Sequence, residues 1–257
     1  MNTKLIMLTA ALLATTSYIL IKNRITKRDD TIFVVGTASG YAPFVSVDER
    51  GEYEGFDIDV ASLLTQKMGK KLKIKDLGSM ATLFIALQQN SIDAIMWGIS
   101  ITQDRLKNVT LIRYGGENMT SYPMLFWQKI PDCIKCIEDM IGLTVCVEPA
   151  SAQDAALSRY PFITKKPTER VDDALLNIKY GRADAAFVEP AIARKFKNRY
   201  PEIQMMNVPL APEDQEYGVG IAIKKENALL AQQVQQAVDQ MISEGTIKKL
   251  ETTWEIS

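Results

Sequence analysis

An α/β chain with two lobes and a cleft between them is what this sequence predicts, and three observations carry the expectation. From Thr31 onward, short β-rich runs alternate with helical segments. The alternation completes one cycle, restarts after Gly115-Gly116, and ends on a return segment. A length of 257 residues accommodates two lobes of about a hundred residues each.

Ile32-Phe33-Val34-Val35-Gly36 reads as a strand covered on both faces. Residues 57–68 set Ile58, Ala61, Leu64 and Met68 on one helical face, with Asp57 as the expected N-cap and Gly69 as the stop. Leu72–Lys75 reads as a strand, Met80–Gln89 as a helix and Ile92–Met96 as a strand. That βαβαβ order implies right-handed crossovers and a parallel sheet. In the second cycle, strands are expected at Met124–Trp127, Leu143–Val147 and near Phe162–Lys165, with a helix from about Ala152. Val171–Lys179 reads as a helix, residues 181–187 as a stop and then a strand, and Ala191–Asn198 as a further helix. Pro209–Asp214 reads as a polar linker, Val219–Ile223 as a strand, and two helices separated by Gly245 close the chain. Two α/β lobes place a ligand cleft outside their strand ends.

Composition narrows the chemistry. Hydrophobic residues make up 47% and charged residues 24%, so a sizeable core is expected. A net charge of −1 offers no basic excess for a polyanion, and no nucleic-acid partner is expected. The absence of histidine removes Ser-His-Asp and Cys-His catalysis and every imidazole metal site. No metal and no cofactor are expected. Cys133 and Cys136 have C-x-x-C spacing, but no second pair supplies zinc ligands. A structural disulfide and two buried thiols both stay open, with a redox pair as the sharper alternative.

Residues 5–21 form an apolar run preceded by Lys4 and succeeded by Lys22, Arg24, Lys27 and Arg28. It has the length of a signal-peptide core or a short membrane anchor. No cysteine stands near its end for a lipid anchor, no small-x-small cleavage site is present, and the positive cluster resists translocation. Export is expected from the character of residues 31–257, with an uncleaved tether to the inner membrane as the alternative.

Gly36-Thr-Ala-Ser-Gly-Tyr-Ala-Pro-Phe44 and Gly55-Phe-Asp-Ile-Asp-Val60 resemble the opening of the polar amino-acid-binding proteins of ABC importers, solute-binding family 3. Ile92-Asp-Ala-Ile-Met96, Ser100-Ile-Thr-Gln-Asp-Arg105, Gly181-Arg-Ala-Asp-Ala-Ala-Phe-Val-Glu189 and Glu244-Gly245…Trp254 continue the likeness in the family's order. It spans residues 31–257. Residues 114–117, 188–193 and 211–215 look most like the arginine-binding proteins of chlamydiae. The resemblance implies a two-lobed periplasmic-binding-protein type II fold. It also implies a periplasmic monomer that binds a free amino acid, arginine or another basic or polar one, and serves an ABC importer's membrane permease.

The same likeness implies the site residues. Arg105 stands at the family position that forks onto the ligand α-carboxylate, where two parallel N–H donors match the anion. Ser100 and Thr102 supply neutral donors and acceptors beside it. Glu189 stands where the family usually has an ammonium-binding Asp; a helix-capping acid before Pro190 is the plainer role. Tyr41 matches the aromatic that covers the ligand side chain, and a core aromatic is its plainer role. Ser151 and Gln153 open a helix in the second lobe, where Ser151 and backbone N–H groups would complete the carboxylate cradle. Trp97 and Gly98 replace a small polar pair, and Trp97 is either a second aromatic wall or a buried residue. Ala38 removes an acidic partner for a basic side chain, which leaves Glu117, Glu148 and Gln215 as candidates for that contact. Asp57 and Asp59 read as caps rather than metal ligands.

The implied mechanism is hinge closure, with residues 30–117 and 218–257 forming lobe 1, residues 118–217 lobe 2, and residues 1–29 the signal or anchor. The chain crosses between the lobes near Asn118–Tyr122 and Asp214–Tyr217. Two rivals remain. The same fold resembles cyclohexadienyl dehydratases, in which Glu189 would be a general acid acting on arogenate or prephenate. A membrane-tethered amino-acid sensor is the other.

Overall fold

Ile32–Thr37 (β1) carries five buried residues behind a half-buried Ile32, the signature of a strand covered on both faces. It belongs to a computed structural model that describes residues 29–128 and 130–256. The N-terminal apolar run therefore lies outside the described residues, and no described helix is long and apolar enough to cross a membrane. After β1, the ribbon Ser46–Val47 (β2) and Tyr53–Glu54 (β3) leads into helix Phe56–Lys67 (α1). The entry turn needs Gly55: its φ is 130°, and a Cβ would lie 2.2 Å from the Phe44 carbonyl oxygen.

Asp57 does not cap α1, contrary to the expectation. Its carboxylate is fully buried and points inward, accepting hydrogen bonds from the Gly98 amide at 2.6 Å and the Tyr114 hydroxyl. Asp57 already lies inside the helix, beyond the flanking position from which a side chain folds back onto the first amides. Asp59 instead accepts from the Trp254 indole N–H at 2.8 Å, tying α1 to the C-terminus. Gly69, at φ 63°, ends the helix as the sequence suggests.

Lys71–Asp76 (β4), Met80–Gln88 (α2) and Ala94–Ile95 (β5) complete the first cycle. Gln103–Asn108 (α3) then leads into the long strand Val109–Met119 (β6), which passes straight through Gly115-Gly116. Gly116, at φ 74°, absorbs a register irregularity there, so the glycine pair makes a bulge and not a break. The second cycle comprises Ser121–Phe126 (β7), Thr144–Val147 (β8), Ala152–Leu157 (α4), Thr164–Pro167 (β9), Val171–Lys179 (α5), Ala185–Phe187 (β10), Pro190–Arg199 (α6) and Gln204–Pro209 (β11). Glu216–Lys224 (β12), Ala228–Ser243 (α7) and Thr246–Thr253 (α8) form the return segment.

The strands make two five-stranded sheets, ordered β4-β1-β5-β12-β6 and β11-β7-β10-β8-β9. Neither is wholly parallel. In the first, β1 and β5 run parallel, but β12 is antiparallel to both β5 and β6. In the second, β8 runs parallel to β9 and β10, while β7 is antiparallel to β10 and β11. The expected parallel sheet fails where the chain changes lobe, because a strand returning from the other sheet enters from the opposite end. β11 was not expected: only Val208 in it is buried, so an edge strand leaves no apolar run to read.

Each sheet has its own core. Phe33, Val35, Leu64, Leu83 and Ile95 fill the first lobe, and Tyr122, Met124, Val145, Leu157 and Phe187 the second. Cys133 and Cys136 are exposed free thiols, neither bonded to each other nor buried, whereas Cys146 is buried.

Candidate functional site

The cleft is built around the first turn of α3. Thr102 caps this helix, its hydroxyl oxygen accepting from the Arg105 amide at 3.3 Å. The cap fixes the Arg105 backbone, and its guanidinium reaches along the strand ends of the first lobe to the second. Nη1 donates to the Ser100 carbonyl at 3.0 Å and Nη2 to the Ala150 carbonyl at 3.3 Å. Thr102 and Arg105 from one lobe, with Ser151 and Ala152 from the other, line a cavity of about 470 Å³ at the seam.

A second, small recess of about 10 Å³ is walled by Tyr41, Val147, Glu148, Gln153, Thr168, Phe187 and Glu189. Tyr41 is buried, its ring stacked 5.6 Å from Phe44 and tilted 5.1 Å from Trp97. Gly98 makes room for that aromatic group. A Cβ on it would stand 3.0 Å from the Phe44 ring and 3.1 Å from the Tyr41 ring, at a φ of 56°. Trp97 is 3% exposed, and its indole N–H has no protein partner. Of the two roles the sequence left open, the structure gives the buried one, with the ring packed on Tyr41.

Glu189 ends the run after β10 and caps α6, accepting from the Ala191 amide at 2.7 Å. The plainer role suggested by Pro190 is thus realised, and the same carboxylate also faces the recess. Ser151 likewise caps α4, accepting from the Asp154 amide at 3.0 Å. Ser100 is buried on the isolated bridge to Val219, and its hydroxyl hydrogen-bonds the Glu216 carboxylate. Gln153 is buried with its Nε2 unpartnered.

Three carboxylates surround this group: Glu148, Glu189 and Glu216. Burial pushes Glu148 up to about 8, opposed by Arg105 and reinforced by Glu169. Burial raises Glu189 to about 7 against the pull of the Ala191 amide, and Glu216 to about 7 against the Ser100 hydroxyl and Arg105. Tyr41 feels all three acids and Arg105, so these charges converge on one place. The Arg105 guanidinium is itself held below its usual value by burial, with Glu216 and Glu148 restoring part of its charge preference.

Glu216 escaped the sequence reading, since a lone acid at the start of a strand gives no periodic signal. Glu117 is exposed and lines neither cavity, and the same is true of Gln215 apart from its half-burial. Glu148 alone of the three side-chain candidates faces the recess. Among the described residues, no cluster of three or more acids or thiols has the geometry to hold a metal ion.

Two α/β lobes that meet over a charged, enclosed recess define a binding protein of the periplasmic type. The chain belongs to the bacterial extracellular solute-binding proteins, family 3, whose family model matches residues 33–256. It is 32% identical to the probable ABC transporter arginine-binding protein ArtJ of Chlamydia trachomatis over 223 residues, which cover 86% of this chain and 85% of that one. An ancestral arginine-binding protein solved with arginine superposes with a TM-score of 0.77 at 27% identity, over 87% of this chain and 98% of that one. An ancestral amino acid-binding protein described as a precursor of cyclohexadienyl dehydratase superposes with a TM-score of 0.75 at 29% identity, over 90% and 98%.

Proposed function

We propose that this protein captures one free basic amino acid, arginine before lysine, by closing its lobes and then presents it to the membrane permease of an ABC importer. The observation behind the choice of a basic ligand is the charge balance of the cleft. Three buried acids, Glu148, Glu189 and Glu216, act on Tyr41 together with one cation, Arg105, and an arriving cationic ligand favours their ionised forms. A free amino acid with a cationic side chain brings one negative and two positive groups, which complements that set better than a neutral zwitterion does.

Arg105 takes the α-carboxylate, with the hydroxyls of Thr102 and Ser151 beside it. Glu189, with Ser100 and the Gly98 region, takes the α-ammonium. Tyr41 and Trp97 cover the side chain, and Gln153 adds a donor from the second lobe. Arg105 and Glu189 lie on different lobes, so a ligand held by both favours the closed state. The hinges are Asn118–Tyr122 and Asp214–Tyr217; pairing of Glu216 with Met119 and of Tyr217 with Asn118 keeps the two crossings side by side. The protein acts outside the inner membrane as a monomer, and residues 1–29 direct it there or hold it there.

Calorimetric titration of the purified protein against the twenty amino acids tests this. One-to-one binding of arginine, tighter than that of any neutral amino acid, is expected. Tighter binding of a neutral polar one would discard the basic ligand and keep the clamp; binding of none would discard both.

One observation favours a second reading. Glu189 is a carboxyl held near neutrality inside a closed recess, as a general acid must be. Formation of phenylpyruvate from prephenate, or of phenylalanine from arogenate, would make the protein a dehydratase; an unchanged substrate eliminates it.

A further inference from the structure

The three acids of the cleft are not equivalent, and their differences assign them separate tasks. Glu189 has a protein partner, the Ala191 amide, and is rooted at a helix start. Glu216 has one in the Ser100 hydroxyl, lies on the strand that crosses between lobes, and lines neither cavity. Glu148 has neither kind of tie. It stands immediately after β8 in the second lobe and keeps its Oε1 buried without a hydrogen-bond partner, as Glu216 also does, but of these two only Glu148 lines the recess. A buried acceptor left so costs free energy unless something else satisfies it.

Val147, Phe187 and Val188 supply the apolar part of the recess wall, and Gln153, Thr168 and Glu189 the polar part. We propose that Glu148 is the specificity-determining residue of this site, the carboxylate that pairs with the terminal cation of the ligand side chain. This rests on the reading of the protein as a binder of basic amino acids and names the group that makes it one. An acid with an unpartnered oxygen discriminates in both directions: it gains a charge-assisted pair with a guanidinium or ammonium, and it stays unsatisfied against an apolar or acidic side chain.

The charged and titratable groups that face Glu148 set its protonation. Arg105 from α3 favours the ionised form, while Glu169 in the loop before α5 and the surrounding burial oppose it. Tyr41 and Glu189 line the same recess, and Glu216 acts on Tyr41 through its charge. A ligand cation arriving at Glu148 tips the balance to the carboxylate, so binding expels a proton near pH 7. A neutral isostere of the same shape does not do this at Glu148. Protons displaced by the ligand α-groups from Glu189 and Glu216 are common to both ligands and cancel in the comparison.

Arginine and citrulline are therefore the probes, since they differ at the terminal group and share the rest. In the unaltered protein, arginine is expected to bind at least a hundredfold tighter than citrulline. Titrations in buffers of different ionisation enthalpy should show more proton release for arginine. Glu148→Gln should cut arginine affinity about a hundredfold, leave citrulline within a few-fold, and abolish the difference in proton release. Glu148→Asp should restore part of the preference. If the unaltered protein binds no basic amino acid, the basic-ligand reading itself falls. If it prefers arginine and Glu148→Gln keeps that preference, the assignment of Glu148 is overturned while the reading stands. Should Glu148→Gln fail to fold, equal proton release by the two ligands in the unaltered protein overturns the assignment.

Discussion

The Arg105 Nη2 group donates to the Ala150 carbonyl oxygen 3.3 Å away, a hydrogen bond that joins the two lobes across the cleft. The side chain proposed to hold the ligand is thus also a lobe-to-lobe contact. Ala150 adopts a φ of 60°, an uncommon conformation for a residue with a Cβ, and this turns its carbonyl towards the guanidinium.

Arg105→Ala should abolish ligand binding while the protein stays folded. The residue contributes no core packing, so the thermal midpoint should move by only a few degrees. Loss of a buried charge-assisted pair costs roughly 2–5 kcal/mol, a loss of about thirtyfold or more in affinity. Arg105→Lys should recover little, because an ammonium cannot donate two parallel hydrogen bonds. Normal binding by the alanine variant, measured calorimetrically, would remove Arg105 from the site.

Arg194 on α6 donates to the Ile256 carbonyl at 2.6 Å, joining the second lobe to the C-terminal segment of the first. It lines none of the recess around Tyr41. Arg194→Ala should weaken the closed state and lower ligand affinity several-fold without touching the ligand. Small-angle scattering of the ligand-free variant should show a larger radius of gyration. An unchanged affinity and radius would mean that this bond does not bias closure.

Gly98→Ala brings a Cβ to about 3 Å from both the Phe44 and Tyr41 rings, at a φ that favours glycine. Strain of roughly 1–3 kcal/mol is expected from backbone and overpacking together. The variant should melt earlier and bind more weakly, since Tyr41 must shift. Retention of both stability and affinity would show that the aromatic group is more pliant than its packing suggests.

Four buried carboxyls have folded values raised by burial: Asp57, Glu189 and Glu216 to about 7 and Glu148 to about 8. In the unfolded chain they titrate near 4. The folded state therefore holds more protons, so their contribution to stability is full below pH ~4 and is lost as pH rises through about 7 to 8. The ligand-free protein should melt at a higher temperature at pH ~5 than at pH ~8. Asp57→Asn, which keeps the buried shape and removes one of these protons, should flatten that slope. A melting temperature that rises with pH over this interval would contradict the assignment.

Much of this protein was legible in the sequence. Alternating β-rich and helical runs and glycine stops such as Gly69 and Gly245 located the two cycles, and the Ser100–Arg105 and Gly181–Glu189 segments contain Thr102, Arg105 and Glu189, which line the cavity or the recess. Those signals are local: a side-chain period, a positive φ, or a run of residue types fixes its own neighbourhood. Tertiary structure decided whatever depends on distant partners. It turned Asp57 from an expected helix cap into a buried acceptor for Gly98 and Tyr114, and it ran β12 antiparallel between β5 and β6. It also singled out Glu148 from Glu117 and Gln215, and it brought in the unmarked Glu216. Burial and charge are sums over neighbours contributed by every part of the chain, so which acids act on Arg105 is settled only when the two lobes meet.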